Sequence, residues 1–296
     1  IERYGLVDDA WALLLAGELS AAEVLALVER LGEREDDLSV WQRLAGVLAD
    51  LDRLVDEGDR QTWTAHVRAL AAPALARLGR EPSDGEPERD RQLRGVLVSL
   101  LGRVGDDTEV VAWCRELRDR DEAGERVEPA LAAAAVDVVA HHGDTDDLDR
   151  YLARVRAADT PQEEQRYLYA TADFRGDADA ARVREMALTD DVRTQNAAFL
   201  LRRALRNPDQ GPAAWRFVRD RWSDINERLP SMTIVRMLEG ITVVDDPARA
   251  ADIEAFFAEH PVPQAAKTLA QHLESMRVRV RLREREAENL AAALRG

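Results

Sequence analysis

Histidine, cysteine and carboxylate are the side chains that most often do chemistry, and this chain arranges few of them for it. Its five histidines are His66, His141, His142, His260 and His272. None is followed by Glu and no two stand four residues apart. The His-Glu-x-x-His helix, in which two imidazoles one turn apart bind zinc while the Glu polarises water, is therefore missing from the sequence. The most metal-like run is His141-His142-Gly143-Asp144-Thr145-Asp146-Asp147. Counted from Asp144 it begins like a calcium loop. Yet Asp149 stands at the sixth position, where Gly makes the turn, and Val155 at the twelfth, where a bidentate Glu belongs. Asp and Gly after a helix are otherwise ordinary capping residues. The single Cys114, beside Trp113, has no His near it in sequence to activate it. It reads as a buried thiol with no disulfide partner in the chain, which fits a reducing cytosol. With no nucleophile triad, phosphate loop or paired metal ligands, the chain by itself does not read as an enzyme.

Charge narrows the partners. The chain has 296 residues with 41 Lys and Arg against 57 Asp and Glu, a formal net charge of −16. Nucleic acid and anionic membrane would both repel it. Lys267 is the only lysine, so the cationic chemistry is almost wholly that of guanidinium forks. No apolar run approaches the roughly 20 residues of a membrane span, and a cytoplasmic location is expected. The first residue is Ile1 rather than Met, which suggests a piece of a longer protein.

The elements that must position any functional side chain are helices. Runs of helical periodicity cover Tyr4–Ala16, a second segment capped by Ser20 and Glu23, then Ser39–Asp56, Arg60–Leu78, Arg89–Arg103 and Thr108–Asp119. Further runs follow at Glu128–His141, Asp146–Ala157, Pro161–Phe174, Ala178–Leu188, Met232–Gly240 and Pro247–Glu259, with a long last helix from Pro263 to near Leu294. Thr160, Asp177 and Asp246 read as N-caps, and Pro161 and Pro247 as first-turn prolines. Val278 to Leu282 alternates like a strand, but Leu269, Leu273, Met276 and Val280 carry a helical stripe through it. Gly79 to Asp90 is charged, with two prolines and two glycines, and reads as an exposed, mobile loop or a linker. Short helices joined by short turns predict an all-α fold: a superhelical array of stacked antiparallel helix pairs, a HEAT/armadillo-like bowl. Residues 1–296 then form a single domain.

The most informative stretch runs from Thr189 to Asp224. It reads as a helix opening on Asp190 and Asp191 and running through Ala198, Leu201 and Leu205, an Asn207-Pro208 turn, and a second helix after Gly211-Pro212. That second helix carries Trp215, Val218 and Trp222 at i, i+3 and i+7, with Phe217 beside them, which puts two indoles on one buried face. The R-x-Q helix start, the N-P turn and A-W-x-F-V-x-x-x-W together resemble the C-terminal helical domain of the aminopeptidase N and endoplasmic-reticulum aminopeptidase family of zinc peptidases. The opening Ile1 to Ala10, the helix Gln165-Arg166-Tyr167-Leu168-Tyr169-Ala170 and the run Glu254-Ala255-Phe256-Phe257 are similar to the same family. Arg279 and Leu282 depart from it, standing where Asn and Trp are usual. There is also no Gly-x-Met-Glu-Asn-like strand to hold a substrate amine.

The resemblance implies a curved all-helical lobe that covers a catalytic domain lying outside this chain, limits substrate length and meets the far end of a peptide. Zinc would belong to that missing domain, and none to this one. Arg193 and Gln195 sit where the family faces its internal chamber, and a guanidinium fork matches a carboxylate bidentately. The plainer alternative is that Arg193 pairs with Asp190 or Asp191 and Gln195 bonds a neighbouring turn. Arg166 and Tyr167 are the other candidate substrate contacts. Since Tyr167 and Tyr169 cannot both face the core, one phenol is expected to reach solvent or the chamber. Expected partners are the catalytic domain and peptide substrates. An independent helical scaffold for protein partners is the alternative reading.

Overall fold

The computed structural model describes residues 2–296; Ile1, first residue of the family-like opening, lies outside them. The described residues form sixteen α-helices and no strand. These are α1 Glu2–Ala16, α2 Ala21–Gly32, α3 Leu38–Asp52, α4 Arg60–Leu78, α5 Glu88–Arg103, α6 Thr108–Glu122, α7 Pro129–His142 and α8 Thr145–Ala157. They continue as α9 Pro161–Ala170, α10 Asp177–Met186, α11 Thr194–Arg206, α12 Gly211–Asp220, α13 Trp222–Arg228, α14 Ser231–Leu238, α15 Pro247–Glu259 and α16 Ala266–Arg295. Val278 to Leu282 is helical, inside α16, as its apolar stripe requires.

The helix starts follow capping chemistry. Ser20 and Glu23 form the reciprocal capping box at α2. Thr160 caps α9 and Asp246 caps α15, each followed by proline in the first turn. Asp177 does not cap. It is the first residue of α10, Gly176 holds the cap position, and the Asp177 carboxylate instead accepts from the Gln210 amide at 2.7 Å. Asp190 and Asp191 also lie outside the helix they were expected to open, because α11 starts only at Thr194.

The chain divides into two compact units. The first takes residues up to Val139 together with Glu284–Gly296, and the second Ala140–Arg283. α7 carries the chain out of the first unit and α16 brings it back. In the first unit α1 packs on α2 and α3, and both α3 and α4 pack on α5. Its core includes Trp41, Trp63, Leu44, Leu48, Leu51 and Leu97, all without exposed surface. Gly95 and Gly102, seven residues apart on α5, let α7 approach. A Cβ on Gly95 would lie 2.9 Å from the Ala130 carbonyl oxygen, and one on Gly102 2.6 Å from Val138 methyls. Cys114 is buried on α6, and burial pushes its thiol up to about 12.

The charged segment between α4 and α5 is exposed but tied at both ends. Arg94, with no exposed surface, donates from Nε to the Gly79 carbonyl at 2.8 Å and from Nη2 to the Leu78 carbonyl at 2.9 Å. Its two terminal nitrogens grip both Glu86 carboxylate oxygens. A buried guanidinium thus fastens a segment that composition alone marks as loose.

In the second unit α8 packs on α9, α9 and α10 on α11, and α11 on α12 and α14. The expected two-indole face forms, with one difference: the helix breaks at Arg221, so Trp215 belongs to α12 and Trp222 to α13. Both rings contact Phe256 and Phe257 of α15, with centroids 5.5 to 5.9 Å apart. The buried Trp215 donates from Nε1 to Asp252 at 2.6 Å. Asn207, in the Asn-Pro turn, uses its whole amide: Nδ2 donates to the Ala172 and Phe174 carbonyls, and Oδ1 accepts from the Asp209 and Gln210 amides. This is why a buried Asn can sit in that turn.

Candidate functional site

Residues 193, 196, 199 and 202 recur every third position through the start of α11, so each side chain advances slowly around the helix. They read Arg, Asn, Phe, Arg. Opposite them α9 presents Glu164 and Tyr169. The Arg193 guanidinium pairs with Glu164 at 3.1 Å. Glu164 also accepts from the Asn196 amide at 3.4 Å, and Asn196 Oδ1 accepts from the Tyr169 hydroxyl at 3.2 Å. Tyr169 packs on Phe199 with centroids 6.2 Å apart, and the Arg202 guanidinium lies 5.1 Å from the Phe199 ring centre. Arg202 then pairs with Glu239 at 3.0 Å.

The result is a continuous ribbon of polar and aromatic groups on one unit. Its two ends differ in freedom. Arg193 keeps 64% of its side-chain surface exposed, while Glu164 keeps 17%. The acid is therefore held in place and the guanidinium can exchange partners. Burial, opposed by Arg202 and reinforced by Glu164, pushes the Tyr169 phenol above its ordinary range. It stays a hydroxyl, able to donate and to accept.

Arg193 thus meets an acid, but Glu164 of the neighbouring helix rather than Asp190 or Asp191; Asp190 faces Arg228 instead. Gln195 is exposed at the start of α11. Arg166 is half-buried on α9, one turn before Tyr169. Tyr167 has no exposed surface; it stacks edge-on against Tyr151 in the core. No ligand reaches a ring with no surface, and the outward phenol is Tyr169. Asn196, Phe199, Arg202 and, on α9, Glu164 were not singled out from the sequence, although the three-residue recurrence of the first three on α11 was there to be read. Nothing in the sequence pairs α9 with α11, and that pairing makes the ribbon.

No group of three or more His, Cys, Asp or Glu that could hold a metal ion occurs among the described residues. His141 and His142 meet each other edge to face. Among the described residues no helix is long and apolar enough to cross a membrane.

Residues 1–278 match the family described as the ERAP1-like C-terminal domain. The chain belongs to that family. The ERAP1-like domain is 26% identical to Aminopeptidase M1 of Arabidopsis thaliana over 292 residues, which is 94% of this chain and 32% of that protein. It is 24% identical to Aminopeptidase M1-D of Oryza sativa subsp. japonica, over 95% of this chain and 33% of the relative. A third relative is the Puromycin-sensitive aminopeptidase of Caenorhabditis elegans, 26% identical over 56% of this chain and 18% of that protein. The ERAP1-like domain thus spans about a third of the length of the first two relatives.

Proposed function

We propose that this ERAP1-like domain is the non-catalytic C-terminal part of a zinc aminopeptidase, where it covers the active-site cleft and helps bind and size-select peptides. The observation that carries this is the family match over nearly the whole chain, together with relatives named as aminopeptidases of which it spans only a third. Zinc and the base that activates water would come from a catalytic domain outside this chain. In this reading the helices form a curved, superhelical array in one functional domain, in a cytoplasmic protein whose partners are the catalytic domain and peptides.

The ribbon on α9 and α11 is the surface we assign to the distal end of the substrate. Arg193 supplies an exposed fork for a peptide carboxylate. Gln195 and Arg166 flank it, and Tyr169 takes the place of the buried Tyr167. The net charge of −16 favours peptides with cationic ends over nucleic acid or anionic membrane.

The test uses the complete reading frame. It should encode His-Glu-x-x-His upstream, and the enzyme should cleave both single-residue chromogenic substrates and peptides of about ten residues. Arg193→Ala should raise KM for the long peptides several-fold, roughly the 1–3 kcal/mol of a charged hydrogen bond, and leave the short substrate unchanged. An upstream frame without that motif, or equal effects on both substrates, ends this reading.

A further inference from the structure

The peptide-facing ribbon begins where α11 begins, and its neighbours in sequence do little to fix that point. Arg193 stands at the cap position, and its side chain makes no cap bond. Asp190 and Asp191 lie before it, outside the helix. The pair with Glu164 is a loose restraint, because Arg193 is 64% exposed and water competes for its guanidinium.

The firmer restraint comes from Arg228, the last residue of α13. Its guanidinium, 17% exposed, enters the loop between α10 and α11 and donates to three carbonyls there. Nε donates to the Ala187 carbonyl at 3.2 Å, and Nη2 to those of Val192, at 2.6 Å, and Thr189. Nη1 lies 3.4 Å from Asp190, whose carboxylate is open to water and adds little. Ala187 closes α10, so the cation meets a helix C-terminus, the end that the dipole favours for it. Val192 directly precedes Arg193 and its side chain is buried. The chain just before the ribbon is therefore held by both its carbonyl and its side chain. Only a fork can do this, since an ammonium offers its donors from a single point. The other end of α13 reaches α10 as well, through Arg221 and Glu185 at 2.7 Å, but both members of that pair are exposed.

We propose that Arg228 is a positioning residue for peptide specificity. By fixing the carbonyls of Ala187, Thr189 and Val192 it sets the start of α11, and with it the place of the Arg193 fork and the Asn196 amide against Glu164. Bidentate recognition of a carboxylate is lost when the fork moves by about 1 Å. Arg228 thus acts on long peptides through Arg193, without touching them. A single-residue substrate does not extend to α11 and is indifferent to it. The consequence for substrates rests on the peptide-facing reading above; the three-carbonyl clamp does not.

Hydrogen exchange and kinetics on the protein of the complete reading frame test the two parts separately. In Arg228→Gln the Asn196 and Ala197 amides, which bond the Arg193 carbonyl, should exchange about tenfold faster, with α8 unchanged. KM for peptides of about ten residues should rise several-fold at unchanged kcat, and the single-residue substrate should be cleaved as before. Arg228→Lys, which keeps the charge and loses the fork, should behave in the same way. Arg221→Gln, on the same helix, should change neither exchange nor KM. In an Arg193→Ala background Arg228→Lys should add nothing to KM, because its effect passes through that fork. Four results would overturn the proposal: unchanged exchange at Asn196 and Ala197, an equal KM effect from Arg221→Gln, a native KM in Arg228→Lys, or effects that multiply in the double variant. Faster exchange in Arg228→Gln beside a native KM in Arg193→Ala supports the clamp and ends the peptide reading instead.

Discussion

Arg94 shows how much one side chain can decide in a chain of this composition. Its guanidinium is fully buried and answers two carbonyls and a carboxylate that would otherwise lack donors. Arg94→Met would remove the charge and keep the bulk, leaving Glu86, 8% exposed, without its partner. Breaking a buried pair from one side costs about 3–5 kcal/mol. Urea denaturation should show that loss as a lower midpoint at unchanged slope, and proteolytic nicking between Arg80 and Glu86 should accelerate. A variant as stable as the native chain would mean that the pair contributes no more than an exposed one. At the proposed peptide surface the same residue type acts differently. Arg193 is more than half exposed, so its pair with Glu164 is a loose, exchangeable contact.

Among the elements, the end of α16 is the one with consequences far away in sequence. Arg285 donates to the Leu14 carbonyl near the end of α1 at 2.6 Å, and the next residue, Glu286, accepts from the Ala21 amide at the start of α2 at 2.8 Å. A cation thus meets a helix C-terminus and an anion a helix N-terminus, each with the sign the dipole favours. Arg295, further along, grips both oxygens of Asp59. Glu286 is 3% exposed, so its carboxylate works with little competition from water. Glu286→Gln should cost about 1–3 kcal/mol, the loss of a charged hydrogen bond at a helix start. Hydrogen exchange at the Ala21 amide should rise well beyond that of α6. Unchanged exchange at Ala21 would show that α2 caps itself adequately through Ser20.

For the whole molecule, the charge distribution sets an acid limit. Hydrogen bonds from Arg94 hold Glu86 below the usual carboxylate range, and the Val40 and Ser39 amides, with Arg89, do so for Asp37. Arg295 acts likewise on Asp59. Groups whose folded pKa is depressed stabilise the fold above their unfolded values, near 4, and lose that contribution as pH falls through the folded values. Asp52 has the opposite sign. Its burial outweighs Arg60 and Trp63 and raises it, so it favours the fold on acidification. Hydrogen bonds from Ser20 and from Arg281 and Arg277 depress Glu23 and Glu274 as well. Five depressed acids against one raised predict a midpoint of unfolding that drops below about pH 4. A smaller decline precedes it from His272, which burial lowers and whose contribution is lost as pH falls below about 6.5. Glu86→Gln should lower the plateau and flatten the drop. A midpoint that rises on acidification would show that Asp52 and the relief of a −16 net charge prevail.

Helix existence was legible in the sequence wherever apolar spacing and caps agreed. Pro247–Glu259, capped by Asp246, and Pro161 onward, capped by Thr160, start as predicted, because helical hydrogen bonds close within four residues and caps within three. The family was legible for a related reason: the Trp215 to Trp222 spacing and the Asn207 turn serve local packing and local amide bonding. Where a boundary depended on distant groups, the sequence misled. Asp177 turned to Gln210 instead of capping its own helix, α11 began without the two aspartates, and the loop before α5 was fastened by an arginine that composition could not place. The choice between Tyr167 and Tyr169 had the same origin. Both fit the helix, and only the packing of α8 and α11 against α9 decided which phenol faced the core. Short-range periodicity and capping are written in consecutive residues, so sequence alone determined the helices and the family they spell. Partners more than about twenty residues apart, such as Arg193 with Glu164 and Glu286 with Ala21, were settled only when tertiary packing brought their helices together.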